Sequence, residues 1–208
     1  QLCEDLLHAA QADWWKVSDL DIQHIPAGPV AAAKRMFSQI LADMPRDRPW
    51  VTAEPHFNFL LPVFRPLLDR PIVVYLLRHP AECAASLNAC AGIPLDAGLS
   101  LWEIYTLSGL RSAVGLPTVF LSYNDLVGDP EATAASLVGQ LNSLLGAGLR
   151  YPGESVGELI NPALCRRRHA TIQVPWEPDD PRRWLYSKLE KDRRAPDPLP
   201  TVAPASLQ

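Results

Sequence analysis

The sequence predicts an α/β fold in which a parallel sheet is flanked by helices. Two apolar segments, PIVVYLL and LPTVFLSY, have the length and residue content of strands. Each is followed by a segment whose apolar residues recur at helical spacing. This order is typical of parallel sheets, because a parallel pair of strands needs a crossover that usually contains a helix. With 208 residues, the chain has room for one such domain with a full core.

The part of the chain ahead of the first strand is predicted to be mainly helical. Apolar residues share a helical stripe over 2–15 and again over 29–44, where Pro29 takes the first helical position. A short strand is expected at Trp50–Thr52, and an apolar helix is expected over 57–68. The second helix is expected to bury Met36, Phe37, Ile40 and Leu41.

The two strand segments lead into further helices. PIVVYLL does not alternate polar and apolar residues, which predicts a strand that is covered on both faces. A helix is expected to start at Pro80, and a loop followed by a helix is expected over 93–113. After LPTVFLSY, Asp129 is expected to cap a helix that begins at Pro130.

The C-terminal region has weaker patterns. One short helix is predicted around Arg182–Lys191. From Ala195 onward the chain is rich in proline and has little to bury, which predicts disorder. We therefore expect a single α/β domain over 1–194 and a disordered tail over 195–208.

Composition narrows the class of protein. A formal net charge of -4 argues against a general nucleic-acid or anionic-membrane binder, because those need a basic surface. The four cysteines form no CxxC pair and no zinc-type spacing, so we expect no metal and a reducing, cytoplasmic setting. The chain has no apolar segment long enough to span a bilayer.

The junction after PIVVYLL has the residue types of an anion site. Arg78 ends the strand segment, Pro80 opens the next helix, and Ser86 follows about two turns in. An arginine fork, a hydroxyl and the N–H groups of a helix start all favour a phosphate. Two plainer interpretations stay open: Arg78 pairs with a core carboxylate, and Ser86 bonds back to a helix carbonyl.

These residues also resemble a known family. LRHPAECAASL resembles the segment with which sulfotransferases hold the 3′-phosphate of 3′-phosphoadenosine 5′-phosphosulfate. GIPLDAGLSLWEIY, VFLSYNDLVGDPEATAASL and INPALCRRRH are similar, in the same order, to later segments of bacterial members. The resemblance spans roughly 50–169. It implies a P-loop-NTPase-like, three-layer domain that transfers a sulfuryl group from this nucleotide to a hydroxyl or amine, without a metal.

The resemblance also implies roles for single residues. Arg78 and Ser86 would bind the 3′-phosphate. The run Arg166, Arg167 and Arg168 would contact the same nucleotide, although such a run is more often a solvated helix end or loop. Tyr123 and Asp125, from a motif that reads Tyr-Glu-Asp-Leu in the family, are expected to hold the loop after the second strand. The acceptor is an unidentified small molecule, carbohydrate or lipid.

The chain departs from the family pattern at two points. Sulfotransferases of this kind begin with a strand and a Gly/Ser/Thr-rich loop around the 5′-phosphosulfate, and this chain has no such loop. Ala53 also stands where many relatives have a lysine. Glu54 and His56 follow it, and either can act as the base that takes a proton from the acceptor. The plainer interpretation is a turn with solvent-facing polar groups.

Three functions remain in competition. The first is a sulfotransferase whose first strand and loop are missing from an N-terminally incomplete chain. The alternative is a catalytically inactive, sulfotransferase-like interaction module. A P-loop kinase-like enzyme ranks lower, because GxxxxGK[ST] does not occur. A sheet without its first strand is expected to leave apolar surface exposed, which favours self-association into a homo-oligomer.

Overall fold

The computed structural model describes residues 2–18, 20–146, 148–151, 156–159 and 179–202. The chain divides into two compact units, each of which is described by itself. The helical unit is built from Gln1–Pro71, Ile104–Val114 and Thr201–Gln208. The sheet unit is built from Ile72–Glu103 and Gly115–Pro200. The expectation of a single domain over 1–194 stays a prediction.

Helices and two strands make up the regular structure of the described residues. In chain order they are α1 (Leu2–Ala9), α2 (Ala27–Ala42), α3 (Phe57–Phe64), β1 (Val73–Leu77), α4 (Pro80–Ala91), α5 (Leu95–Ser112), β2 (Thr118–Ser122), α6 (Tyr123–Gly128), α7 (Pro130–Leu145), α8 (Val156–Leu159) and α9 (Pro181–Asp192). Short 3-10 turns lie at Ile22–His24 and Arg65–Leu67. The α/β fold class is thus confirmed.

The helical unit has an aromatic core. The ring of Phe37 from α2 lies 4.7 Å from the ring of Phe64, and Phe57 lies 5.7 Å from Phe64. Phe64 and Leu60 of α3 are completely buried. Burial of such rings is among the largest hydrophobic contributions to a small core.

The predicted buried stripe of α2 is wider than the stripe that the structure buries. Met36 and Ile40 are exposed, whereas Phe37 and Ala33 are the buried residues of this helix. The physical reason is the number of neighbours: α2 contacts α1 and α3, and they cover only the narrow stripe that residues four apart share.

Two further expectations in this unit are wrong. α1 ends at Ala9, and Gln11 turns the chain with a positive φ of 57°, so the predicted helix does not reach Trp15. Trp50–Thr52 is not a strand, and Val51 is exposed. A strand needs a hydrogen-bonded neighbour, and the described residues give this segment none.

The sheet unit contains a parallel pair of strands. β1 pairs with β2 in a register that places Val73 opposite Thr118 and Leu77 opposite Ser122. The parallel direction that the sequence predicts is confirmed. Both strands end at the same edge of the sheet, so the residues that follow Leu77 lie near those that follow Ser122. The candidate site lies at this edge.

β1 is covered on only one face. Leu77 is buried, but Val74 and Leu76, which alternate with it, are 38% and 51% exposed. The prediction of a strand covered on both faces is therefore wrong for the part of the chain that the structure describes. A run of apolar residues shows that a segment is hydrophobic, but it does not show what packs against each face.

The predicted helix starts in this unit are confirmed. Asp129 accepts a hydrogen bond from the N–H of Ala132 at 3.1 Å, and α7 begins at Pro130. α9 occupies the predicted place, and Asp180 caps it through the N–H of Arg182 at 2.8 Å. Residues 195–202 contain no helix or strand. Disorder of the whole tail over 195–208 stays a prediction.

Replacing Gly98 by alanine is expected to destabilise the protein by about 1–3 kcal/mol. A Cβ at Gly98 of α5 would lie 2.8 Å from the Cα of Ala84 on α4, and that backbone atom cannot rotate away. The measurement is the midpoint of urea unfolding. Gly139→Ala on α7 is the control, because its Cβ meets nothing within 4 Å and the change should stabilise the helix by about 0.5–1 kcal/mol. A Gly98→Ala protein as stable as wild type would contradict the close approach of α4 and α5.

Candidate functional site

Arg78 follows β1 directly and is held at three points. Its Nε donates to a carboxylate oxygen of Glu82 at 3.3 Å. Its guanidinium lies 4.4 Å from the centre of the Tyr123 ring, which is a cation–π contact. Its backbone carbonyl accepts a hydrogen bond from Trp102 Nε1 at 3.1 Å. The side chain is 23% exposed, so part of it faces solvent.

The outer edge of the Arg78 guanidinium, which consists of the two Nη nitrogens, is not hydrogen-bonded by the described residues. Among the described residues, only Nε makes a side-chain hydrogen bond, and the two terminal Nη nitrogens make none. The plainer interpretation, a pairing with a core carboxylate, is therefore confirmed, but the pairing uses one edge of the guanidinium. The remaining edge has the planar donor geometry that suits phosphate oxygens.

The start of α4 does not offer N–H groups to an anion, contrary to expectation. The ring nitrogen Nδ1 of His79 accepts from the N–H of Ala81 at 3.2 Å. The N–H groups of Glu82 and Cys83 donate to the carbonyl of His79 at 3.0 and 3.1 Å. Pro80 has no N–H. Because these donors are used inside the helix, an anion at this junction depends on side chains.

Ser86 lies on the same face of α4 as Glu82. The two residues are four apart, which places them one above the other along the helix. Ser86 is partly exposed, and in the described part of the chain its hydroxyl has no hydrogen-bond partner. The back-bond to a helix carbonyl that the plainer interpretation requires is not formed. Ser86 thus lies one helical turn beyond the carboxylate that pairs with Arg78.

The other residues that the resemblance singles out have separate outcomes. Arg166, Arg167 and Arg168 lie outside the described residues. Tyr123 and Asp125 lie in the short helix α6 rather than in a loop. Asp125 forms an ion pair with Arg193 at 2.8 Å. The ring of Tyr123 packs against the guanidinium of Arg78.

Sequence reasoning missed Glu82. This residue is the acid in the first turn of α4, four positions after Arg78, and it is only 3% exposed. An acid of opposite charge at this spacing is a signal that could have found it.

Glu54 and His56 form a second candidate group, in the helical unit. Nδ1 of His56 lies 2.6 Å from Glu54 Oε1, which also accepts the backbone N–H of His56 at 3.0 Å. The ring is only 13% exposed, so the interpretation as a solvent-facing turn does not describe it. A neutral ring that donates from Nδ1 to a carboxylate has Nε2 as its acceptor, and this is the arrangement of an oriented general base.

Buried acids that stay protonated lie near Glu54. Burial raises the pKa of the Cys3 thiol to about 12, and the charge of Glu54 adds to the effect. Burial also raises the pKa of Tyr105, with smaller contributions from Asp13 and Glu54. The Tyr105 hydroxyl donates to the carbonyl of Trp14 at 2.6 Å. Cys3 and Tyr105 therefore stay protonated at neutral pH, which suits them to packing and hydrogen bonding rather than to accepting a proton.

Stability is expected to fall as the pH rises above about 9. The pKa of Cys3 is raised in the folded protein from 9.0 to about 12. The stability that the protonated Cys3 thiol contributes is therefore fully present below pH 9.0. It is lost between pH 9.0 and about 12, at roughly 1 kcal/mol per pH unit. Urea unfolding between pH 8 and pH 10 should show a shallower decline for Cys3→Ala than for wild type. Cys90→Ala, which removes an exposed thiol, should keep the wild-type slope. Equal slopes for all three proteins would contradict the prediction.

Two kinds of feature are absent from the described residues. In that part of the chain, no group of three His, Cys, Asp or Glu side chains is placed to hold a metal ion. No helix there has both the length and the hydropathy to cross a membrane.

Comparisons with known proteins support the fold. No family model matches the sequence, and no curated protein matches it significantly. A solved structure, the sulfotransferase domain from the curacin biosynthetic pathway, matches with a TM-score of 0.54. The match covers 91% of this chain and 78% of that domain, at 17% sequence identity. This protein therefore has a sulfotransferase-like α/β fold. At this level of identity the likeness establishes the fold alone.

Proposed function

We propose that this protein is a sulfotransferase-family protein that binds 3′-phosphoadenosine 5′-phosphosulfate and transfers its sulfuryl group to a hydroxyl or amine. The observation that carries the proposal is the state of Arg78. Glu82 and Tyr123 hold its Nε edge and its face, and among the described residues neither its Nη edge nor the hydroxyl of Ser86 on α4 makes a hydrogen bond. The sulfotransferase-like fold supports the same conclusion.

The residues present fit a phosphomonoester. A planar pair of N–H donors from Arg78 matches two phosphate oxygens, and the Ser86 hydroxyl can donate to a third. The proposal also includes Arg166, Arg167 and Arg168 as further contacts to the nucleotide. When bound, the nucleotide supplies an activated sulfuryl group, and positioning and positive charge suffice for its transfer without a metal.

The proposed proton acceptor is His56. Its Nε2 would take the proton that the acceptor hydroxyl or amine loses on attack, and Glu54 would stabilise the imidazolium that forms. Arg78 and Ser86 belong to the sheet unit, whereas Glu54 and His56 belong to the helical unit. The two roles are therefore tested by separate variants.

The alternative is a catalytically inactive interaction module with the same fold. The exposed apolar residues Val74 and Leu76 of β1 favour it, because such surface is typical of docking or self-association. A module of this kind need not prefer a 3′-phosphorylated nucleotide. Nucleotide selectivity therefore separates the two functions.

We also propose a cytoplasmic setting. Cys3, Cys83 and Cys90 are free thiols, and thiols that form no disulfide are typical of a reducing compartment. Thiol titration of the protein purified without reductant tests this proposal, and the discovery of a disulfide would contradict it.

Calorimetric titration tests nucleotide selectivity. We expect adenosine 3′,5′-bisphosphate to bind more tightly than adenosine 5′-monophosphate, because only the former presents a phosphate to Arg78 and Ser86. Ser86→Ala should weaken the bisphosphate about tenfold, the usual effect of a lost hydrogen bond to a charged group. Ser143→Ala is the control, since that helical hydroxyl already bonds to the carbonyl of Gly139. Equal affinity for both nucleotides in the wild-type protein would overturn the proposed function.

A further inference from the structure

Glu82 is a buried carboxylate whose contact with Arg78 crosses the strand–helix junction. It lies in the first turn of α4 and is 3% exposed, and it accepts from Arg78 Nε at 3.3 Å. A buried carboxylate is costly unless a charged or hydrogen-bonding group compensates it. Arg78 supplies such a group, so each residue of the pair stabilises the position of the other.

The contacts of Arg78 determine which of its edges faces outward. Trp102 holds the backbone carbonyl, Tyr123 covers one face of the guanidinium, and Glu82 takes the Nε edge. An arginine side chain otherwise has several rotatable bonds and loses that freedom when it binds a ligand. A guanidinium that is already held in place loses less of it.

We propose that Glu82, supported by the ring of Tyr123, is a positioning residue that presents the Nη edge of Arg78 to the 3′-phosphate. This inference rests on the proposed function of Arg78. Glu82 acts through two properties, an acceptor oxygen that orients Arg78 and a negative charge that balances it. Only the acceptor oxygen is needed for orientation, and the charge itself repels a phosphate.

Two variants of Glu82 separate these properties. Glu82→Gln keeps an acceptor oxygen and removes the charge, so its preference for adenosine 3′,5′-bisphosphate over adenosine 5′-monophosphate should equal or exceed that of wild type. Glu82→Leu removes the acceptor at similar volume, and the preference should fall about fivefold to tenfold, the usual effect of releasing a held side chain. Calorimetric titration gives a Kd for each nucleotide. The preference is the Kd of adenosine 5′-monophosphate divided by the Kd of adenosine 3′,5′-bisphosphate, so a weaker preference is a lower ratio.

A parallel pair at Tyr123 keeps the test decisive if Glu82→Leu does not fold. Tyr123→Phe keeps the ring under Arg78 and should keep the preference, whereas Tyr123→Leu should lower it. Glu103→Gln is the control for loss of a buried carboxylate, since Glu103 of α5 is also buried in the sheet unit. It should leave the ratio of Kd values unchanged.

The outcomes are distinguishable. If Arg78→Ala does not change the ratio, the proposed function of Arg78 fails. If Arg78→Ala lowers the ratio but Glu82→Leu and Tyr123→Leu keep it at the wild-type value, only the positioning role is overturned. Weakening of both nucleotides to the same extent in the leucine variants would also overturn it, because that result indicates a general structural role. In an Arg78→Ala background, Glu82→Leu should lower the ratio no further.

Discussion

Replacing Arg78 by alanine is expected to weaken binding of adenosine 3′,5′-bisphosphate by about a hundredfold. Removal of one partner from a charge-assisted, bidentate contact typically costs on the order of 2–5 kcal/mol. The loss should be larger here than for an exposed arginine, because the Arg78 side chain is already held by Glu82 and Tyr123. Calorimetric titration of the purified proteins gives the ratio of dissociation constants.

Two further variants define the origin of that loss. Arg78→Lys keeps the positive charge but not the planar fork, so it should bind with intermediate affinity. Arg183→Ala removes an exposed arginine of α9 from the same unit and should bind like wild type. An Arg78→Ala protein with undiminished affinity would show that the phosphate does not depend on this residue.

Replacing His56 by alanine is expected to reduce sulfuryl transfer by about 10²- to 10⁴-fold, the range for a general base. Nucleotide affinity should not change, because Arg78 and Ser86 are untouched. Glu54→Gln should have a smaller effect of about tenfold, since the amide oxygen still accepts from Nδ1 but no longer stabilises a charged ring. The measurement is release of adenosine 3′,5′-bisphosphate from the donor, with a panel of hydroxyl and amine acceptors.

The chain contains a matched control for His56. His24 also bonds to a carboxylate, with Nδ1 at 2.9 Å from Asp21 Oδ2, but its side chain is almost fully exposed. His24→Ala should transfer at the wild-type rate. Equal rates for His56→Ala and wild type would exclude His56 as the base, and so would a parallel loss of nucleotide affinity.

Local sequence patterns predicted where helices and strands lie better than they predicted what packs against each of them. The apolar runs at β1 and β2 and the Asp129–Pro130 helix start depend on residues close in sequence, and the structure contains all three. The exposure of Ile40 on α2 depends instead on which elements pack against that helix. Periodicity shows which residues share a face, but the width of the buried stripe is a tertiary property.

The candidate site shows the same division. Arg78 and Ser86 stand out because of their place at a strand–helix junction. The role of His79 as a cap was not expected, because serine, threonine, aspartate and asparagine are the preferred capping residues. Its ring occupies the N–H of Ala81. The spacing of Glu82 from Arg78 is compatible with an ion pair, but the burial of Glu82 depends on tertiary packing, which the sequence pattern does not show.

A crystal structure of the protein with adenosine 3′,5′-bisphosphate bound locates the phosphate directly. We predict 3′-phosphate oxygens within hydrogen-bond distance of the Nη nitrogens of Arg78 and of the Ser86 hydroxyl, while Glu82 still accepts from Nε. A 3′-phosphate bound elsewhere, with Arg78 free of ligand, would contradict the assignment of this junction as a nucleotide site.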